Sequence, residues 1–355
     1  MALMVTCLLC DRELSPLAGG FYFTHPDVED CQVRYCDRFG VSVEEDDALQ
    51  TPATELVEVD TPRDLAKGDF VIDLDPYPRV DEVLKEIFAT YGLQRLGGQS
   101  TGRGWSSFNL FQKCPHAWKR RYIDAAQPSF VVEAPSLAVG TLVHTFLAVM
   151  YMRMIVDDYP LTPELVRSLC MEAARPAYVD EAWRVFTGYR LFYTYDKIEP
   201  LAVEYDLRDP RTGESCRYDL IAFFPEESGL RMPGTYVVEH KTASRFDIAT
   251  TDGWANDGEV LGQALLWKRL GLDKRFGPLR GVIVNICGKQ KELQFHRTIV
   301  APSSLQLDQH TEDLRRWEGL IQLSRATNNF PRARHSCVGR FGMCEWFEDC
   351  ITAKR

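Results

Sequence analysis

Glu239 and Lys241 stand two residues apart at the end of the apolar run Tyr236-Val237-Val238. Alternate side chains of a strand share a face, so this carboxylate and ammonium point the same way. Packing alone accounts poorly for such a pair, whereas a metal ion and a phosphate account for it well. A second carboxylate, Asp219, falls in the middle of the preceding predicted strand, residues 215–224. Facing residues of adjacent antiparallel strands lie within about 5 Å, so Asp219 and Glu239 can share one cation. Two buried carboxylates with a purely structural role would require nearby arginines. His144 lies in an otherwise apolar helical stretch, four residues after Gly140. Taken alone, it would read as a satisfied core histidine. Gln263 and Trp267 are spaced i, i+4 and share one face of a predicted helix.

The thiols and a short basic run carry the other chemistry. Cys7-x2-Cys10 and Cys31-x4-Cys36 form two close pairs suited to a tetrahedral zinc ion, with Gly40 for a tight turn and His25 as a substitute ligand. Cys337-x6-Cys344-x5-Cys350 lacks one ligand of a four-coordinate site, and Cys114 could complete it. Cys170, Cys216 and Cys287 fall in predicted helix or strand interiors and read as small core residues. Lys119, Arg120 and Arg121 are interleaved with Trp118 and Tyr122. That pattern suits a nucleic-acid strand, and equally a solvated helix face carrying two core aromatics.

These residues need a scaffold, and the chain can supply one. It has 355 residues, 45% of them apolar, and a net charge of −10. The acidic balance does not advertise nucleic-acid binding, but a local basic groove is sufficient to hold phosphates. The N-terminus shows neither a basic n-region nor a long apolar core, and no run of about 18 apolar residues reads as a membrane span. The expected compartment is therefore the reducing cytoplasm, where 11 cysteines argue for metal sites rather than disulfides. Glycines 97, 98, 102 and 104 are followed by no Gly-Lys-Ser/Thr, so no phosphate loop is read there. Residues 1–42 are expected to form the zinc module. Residues 43–104, with the acidic run Glu44 to Asp47, read as a linker or arm, with one amphipathic helix near 81–91. From 105 onward the pattern predicts a serine-capped helix near 106–114, then a buried helix over 136–155. Two further helices follow, one opened by Thr162-Pro163 and one over 178–195. Strands are predicted over 201–207, 215–224, 236–241, 279–286 and 293–300, with helices over 259–270 and 303–325.

Gly140-x3-His144, Asp219, Glu239-x-Lys241 and Gln263-x3-Trp267 occur in the order found in the PD-(D/E)XK nucleases. More narrowly the chain resembles the RecB-type nucleases, which include CRISPR-associated and phage exonucleases. Cys114-Pro115 with the three C-terminal cysteines resembles the iron–sulfur staple of that branch. The resemblance spans about residues 105–352. It implies an α/β fold with a restriction-endonuclease-like core, a mixed β-sheet flanked by helices, carrying a helical insertion and a C-terminal cysteine staple beside the small zinc module.

The roles follow from the same resemblance. His144, Asp219, Glu239 and the backbone carbonyl of His240 would bind Mg²⁺ or Mn²⁺. Lys241 would orient or help deprotonate the attacking water, and Gln263 would orient substrate or water. Trp267 stands where the family often has tyrosine and, with Lys119, Arg120 and Arg121, would face DNA. Cys114, Cys337, Cys344 and Cys350 would hold a [4Fe–4S] cluster, with zinc as the alternative because the first C-terminal gap is longer than the family's usual two residues. The family's glycine before its aspartate is absent here, in the run Ser215-Cys216-Arg217-Tyr218-Asp219. The implied activity is metal-dependent DNA hydrolysis, as an exonuclease on single strands or duplex ends. Its setting would be a bacterial or phage-infected cell, acting alone or with a separate helicase or recombinase and no membrane. The rivals are a catalytically silent nucleic-acid scaffold and a nuclease trimming DNA for CRISPR adaptation.

Overall fold

The structure is a computed structural model. It describes residues 77–94, 103–126, 128, 134–227, 231–247, 253–339 and 342–352, and three short strands nearer the N-terminus. The chain divides into two compact units, Met1–Ile72 and Asp73–Arg355. In the first, β1 (Val5–Thr6), β2 (Glu13–Pro16) and β3 (Phe23–Thr24) form an antiparallel sheet in that order. Cys7, Cys10, Cys31 and Cys36 lie outside the described residues, as does most of the acidic stretch after residue 43.

The second unit opens with helices α1 (Val80–Thr90), α2 (Trp105–Lys113), α3 (Pro115–Tyr122), α4 (Pro135–Ile155), α5 (Pro163–Ala173) and α6 (Pro176–Phe192). Strands β4 (Glu199–Arg208), β5 (Ser215–Phe224) and β6 (Gly234–Ala243) then form an antiparallel meander. Helices α7 (Gly258–Leu270) and α8 (Asp273–Phe276) carry the chain to β7 (Leu279–Gly288), which runs parallel to β6. A parallel pair requires such a crossover. Strand β8 (Phe295–Val300) pairs antiparallel with β7 and closes a five-stranded sheet ordered β4-β5-β6-β7-β8. The long helix α9 (Ser304–Thr327) follows. The small hairpin of β9 (Val338–Gly339) and β10 (Gly342–Met343) comes next, then α10 (Phe347–Thr352).

Strand alternation sorts the sheet into two cores. Tyr236 and Val238 of β6 pack with α4 and α6 on one face, whereas Val237 packs with α7 on the other. Helix α4 is enclosed along its middle, where Leu142, Val143, Phe146 and Leu147 are all fully buried. Burying a side chain of this size contributes about 1.5–3 kcal/mol. At 21 residues α4 is long and apolar enough to cross a bilayer by composition, which corrects the expectation that no such run exists. In the fold α4 is the core helix.

Two other expectations change. Helix α1 buries Val80, Val83, Leu84, Ile87 and Phe88 in the same cluster as α4 and α5. The i, i+3, i+4, i+7 spacing makes one apolar stripe, so this part of the 43–104 segment belongs to the core rather than to a linker. Helix α2 has Gly104, not a serine, at its N-cap. Ser107 is instead buried and accepts a 2.8 Å bond from Trp118 Nε1. The caps at Thr162 and Ser303 form as their sequences specify. Thr162 accepts from the Leu165 N–H, and Ser303 forms a capping box with Gln306.

Candidate active site

The ladder between β5 and β6 ends at Leu220–Val238, and beyond it the strands part. The Asp219 carboxylate takes up the donor freed there, accepting the His240 N–H at 2.8 Å. An extended residue's N–H and C=O point to the same side, so the His240 carbonyl also faces this gap. Continuing the register sets Asp219 opposite Glu239, and on its other flank sets Glu204 of β4 opposite Asp219. Three acids thus lie in one row across three strands. Glu204 adopts a left-handed backbone with φ of 48°. A non-glycine residue held there costs about 1–3 kcal/mol and persists only where its surroundings over-determine it. Here Arg217 Nε lies 2.7 Å from Glu204 Oε2.

Helix α4 brings the histidine. At Gly140 an added Cβ would lie 3.0 Å from Thr242 Oγ1, so the missing side chain lets the helix run close to β6. One turn on, His144 Nδ1 stands 3.5 Å from Asp219 Oδ2. Helix α7 supplies the opposite wall. Gln263 Nε2 donates to Glu239 Oε2 at 2.6 Å, and Lys241 Nζ lies 2.6 Å from Glu239 Oε1 and 2.7 Å from Glu259 Oε2. These groups line one cavity of about 650 Å³, with Arg103, Arg208 and Arg217 also on its walls.

Residues 105–350 match the family model described as the PD-(D/E)XK nuclease superfamily. The chain belongs to that superfamily. Membership implies a phosphodiester hydrolase acting on DNA, in a family that generally uses divalent metal ions. Among solved structures, a "Putative exonuclease" from Eubacterium rectale is similar at 12% identity and a TM-score of 0.36, over 79% of this chain and 94% of that one. No curated protein matches the chain.

The electrostatics of this candidate site show a shortage of positive charge. Burial lifts the Asp219 carboxyl to about 6, opposed by Lys241 and by the His240 N–H. Burial and the Asp219 charge raise Glu239, and burial and Glu239 raise Glu259. Glu204 is pushed furthest, to about 8, by burial and by Asp219 against the pull of Arg217. Burial works against the Lys241 ammonium, but the surrounding carboxylates outweigh it and hold its pKa above the usual lysine value. Burial lowers His144 to about 4, so its imidazole is neutral at neutral pH and free to act as a ligand. Four acids that raise one another's pKa beside a neutral imidazole fit a hard divalent cation. Among the described residues, however, no group of three His, Cys, Asp or Glu side chains already stands in position to ligate one ion. Lys241 and Gln263 occupy both oxygens of Glu239 instead.

Behind the strand, His240 points to the opposite face. Its ring lies 6.0 Å from Tyr151 at 9°, and its Nδ1 bonds Asn285 Nδ2 at 2.9 Å. Asn285 Oδ1 in turn accepts from Arg297 at 3.1 Å. This buried ladder fixes the backbone that carries Glu239 and Lys241.

The residues expected to face DNA sit elsewhere. Trp267 is 1% exposed and donates to Asp273 at 2.6 Å, so it is a core residue and the DNA-facing expectation is corrected. Lys119 pairs with Asp124 at 3.2 Å, Arg121 grips both oxygens of Glu345, and Arg120 pairs with Asp349 while lying 4.8 Å over the Trp346 ring. Trp118 is buried and stacks on Phe330 at 6.1 Å. The basic run therefore clamps the C-terminal segment. Sequence could not show this, because the partners of Arg120 and Arg121 lie more than two hundred residues away.

The same clamp carries Cys114, at the joint between α2 and α3, to the C-terminal cysteines. Cys114, Cys337, Cys344 and Cys350 are half-buried free thiols. Burial raises Cys344 and Cys350, with smaller contributions from Cys114 and Cys337. Among the described residues, no three of these thiols stand in position to ligate one ion. Cys170 and Cys287 are fully buried core residues, and Cys216 is half-buried against the second core cluster. Glu204 and Glu259 were missed from sequence. Glu204, three residues before the buried Leu207, gave no signal in the strand pattern, and only the strand register reveals it. Glu259, i−4 to Gln263, was legible from helical spacing.

Proposed function

We propose that this chain is a divalent-metal-dependent DNA exonuclease. The observation that carries this is Asp219 set opposite the Glu239–Lys241 pair where β5 and β6 part. His144, Asp219, Glu239 and the His240 carbonyl would hold Mg²⁺ or Mn²⁺, which when bound supplies Lewis-acid polarisation of the phosphodiester and a more acidic water. The chain's own residues do the rest. Lys241 sits where it can hand its charge from Glu239 to a scissile phosphate and orient the attacking water. Gln263 keeps the Glu239 carboxylate turned into the cavity. Glu259 takes the Lys241 ammonium from the other side and restricts its swing. Arg103, Arg208 and Arg217 bind flanking phosphates.

The cysteines belong to the same reading. Cys114, Cys337, Cys344 and Cys350 would hold a [4Fe–4S] cluster or zinc that ties α3 to the C-terminal segment, and Cys7, Cys10, Cys31 and Cys36 would hold zinc. The setting is cytoplasmic DNA recombination, repair or phage DNA metabolism, alone or with a separate helicase or recombinase. End-labelled single-stranded, duplex and circular DNA, incubated with Mg²⁺ or Mn²⁺, tests the activity. Products that shorten from an end, with circles spared and Lys241→Ala inactive, are expected. Metal-independent binding without hydrolysis would make the chain a scaffold instead.

A further inference from the structure

A second cavity, of about 440 Å³, lies beside the catalytic one. Trp105, Gly258, His310 and Leu314 line both, so the two share a wall. Trp105 is the main part of that wall. Its ring lies so close over Gly258 that a Cβ there would meet ring atoms at 2.1–2.4 Å. Only glycine at the start of α7 lets the indole lie flat there. His310 stands across from it, with ring centroids 5.8 Å apart, and Trp317 adds a second indole from α9. Burial holds the His310 pKa down, so this ring is uncharged at neutral pH.

The polar groups of this cavity differ from those next door. Gln112, Asn256 and Gln309 offer amides that can both donate and accept. Among the described residues that line it there is no lysine or arginine, and Asp257 and Asp313 add negative charge. A phosphate is repelled from such a space. A flat, neutral group with a hydrogen-bonding edge is suited to it, because aromatic faces stack on it and amides read its edge. The neighbouring catalytic cavity differs in carrying cations, Arg103, Arg208, Arg217 and Lys241, among its carboxylates, and these can face a phosphate once the acids are neutralised. Single-stranded nucleic acid combines both needs within one nucleotide: an anionic backbone and an unstacked base.

We propose that this second cavity receives one unpaired nucleobase of the substrate strand while its phosphate lies in the catalytic cavity. The inference rests on the nuclease reading above and narrows it: the substrate is single-stranded at the site of cutting. A paired base would have to leave its stack to enter, which costs a few kcal/mol and disfavours blunt duplex.

The test uses single-stranded oligonucleotides carrying one abasic residue, degraded by the full-length protein with Mg²⁺. The product ladder is expected to pause at a fixed number of nucleotides from the abasic position, with the step rate there reduced about tenfold, as loss of one stacked base predicts. Trp317→Ala lowers the step rate on the intact strand by a similar factor and removes the pause, while Trp317→Phe keeps both. Gln309→Ala, at an exposed position of α9, weakens the pause without unfolding the helix. A ladder without pauses from an active enzyme overturns the base pocket and leaves the nuclease reading standing. Abasic and Trp317→Ala effects that multiply also overturn it. Absence of hydrolysis on every DNA overturns the nuclease reading and the pocket with it.

Discussion

Glu204→Gln should stabilise the metal-free protein at alkaline pH, and its size can be worked from the site. The Glu204 carboxyl moves from an ordinary value of 4.5 to about 8, through burial first and the Asp219 charge second. That difference favours its neutral over its ionised form by about 5 kcal/mol. The folded state binds this proton more tightly than the unfolded chain does. The contribution of Glu204 to stability is therefore fully present below 4.5 and is lost as pH rises toward 8. Glutamine has the same shape, keeps an acceptor for Arg217 and never ionises. With a chelator present at about pH 8, the variant should be more stable by a few kcal/mol, with about 5 kcal/mol as the ceiling. For a unit of this size that raises Tm on the order of 5–10 °C. At about pH 5 the two proteins should differ by roughly 1 kcal/mol or less. Thermal unfolding followed by circular dichroism in EDTA, across this range, reads the effect. Adding Mg²⁺ should narrow the gap at high pH, because a cation relieves the same repulsion. Parallel Tm-against-pH curves for the two proteins would refute the claim that a crowded, ionised Glu204 strains the site.

Lys241→Ala should abolish hydrolysis, by about a thousandfold or more in kcat. It should also lower the metal-free Tm, since Glu239 and Glu259 then face each other without their shared ammonium; calorimetry with and without Mg²⁺ checks both. Gln263→Ala removes a buried 2.6 Å bond to Glu239 and should weaken Mg²⁺ affinity about 10–100-fold, read by isothermal titration. Leu142→Ala in the fully buried face of α4 should cost about 2–5 kcal/mol in urea unfolding without altering metal affinity. Trp267→Phe should leave DNA affinity unchanged and cost about 1–2 kcal/mol of stability through its lost bond to Asp273, contrary to a DNA-facing tryptophan.

Local signals carried the elements well. The alternation of residues 215–224 and the apolar run at 279–286 became β5 and β7, and Thr162 and Ser303 capped the helices their neighbours demand. The Glu239-x-Lys241 spacing declared a shared face, since strand geometry fixes it at a range of two residues. What sequence hid was set at long range. Glu204 enters the acid row only through the pairing of β4 with β5. Arg120 and Arg121 lost their apparent freedom to acids near the C-terminus. Trp267 looked surface-bound because helical spacing gives a face but not the partner that covers it; Tyr218 and Phe276 lie against it. The stripe on α1 was present in the letters, but the acidic composition around it drew the eye to a linker.

The ammonium of Lys241 is already spoken for at both ends, by Glu239 and by Glu259. A cutter of genetic material that carries its own internal counter-charge can be synthesised, folded and kept idle where divalent ions are scarce. On the proposed reading, a divalent ion would take over from that placeholder, and metal supply as well as a loose strand would meter the danger to its host.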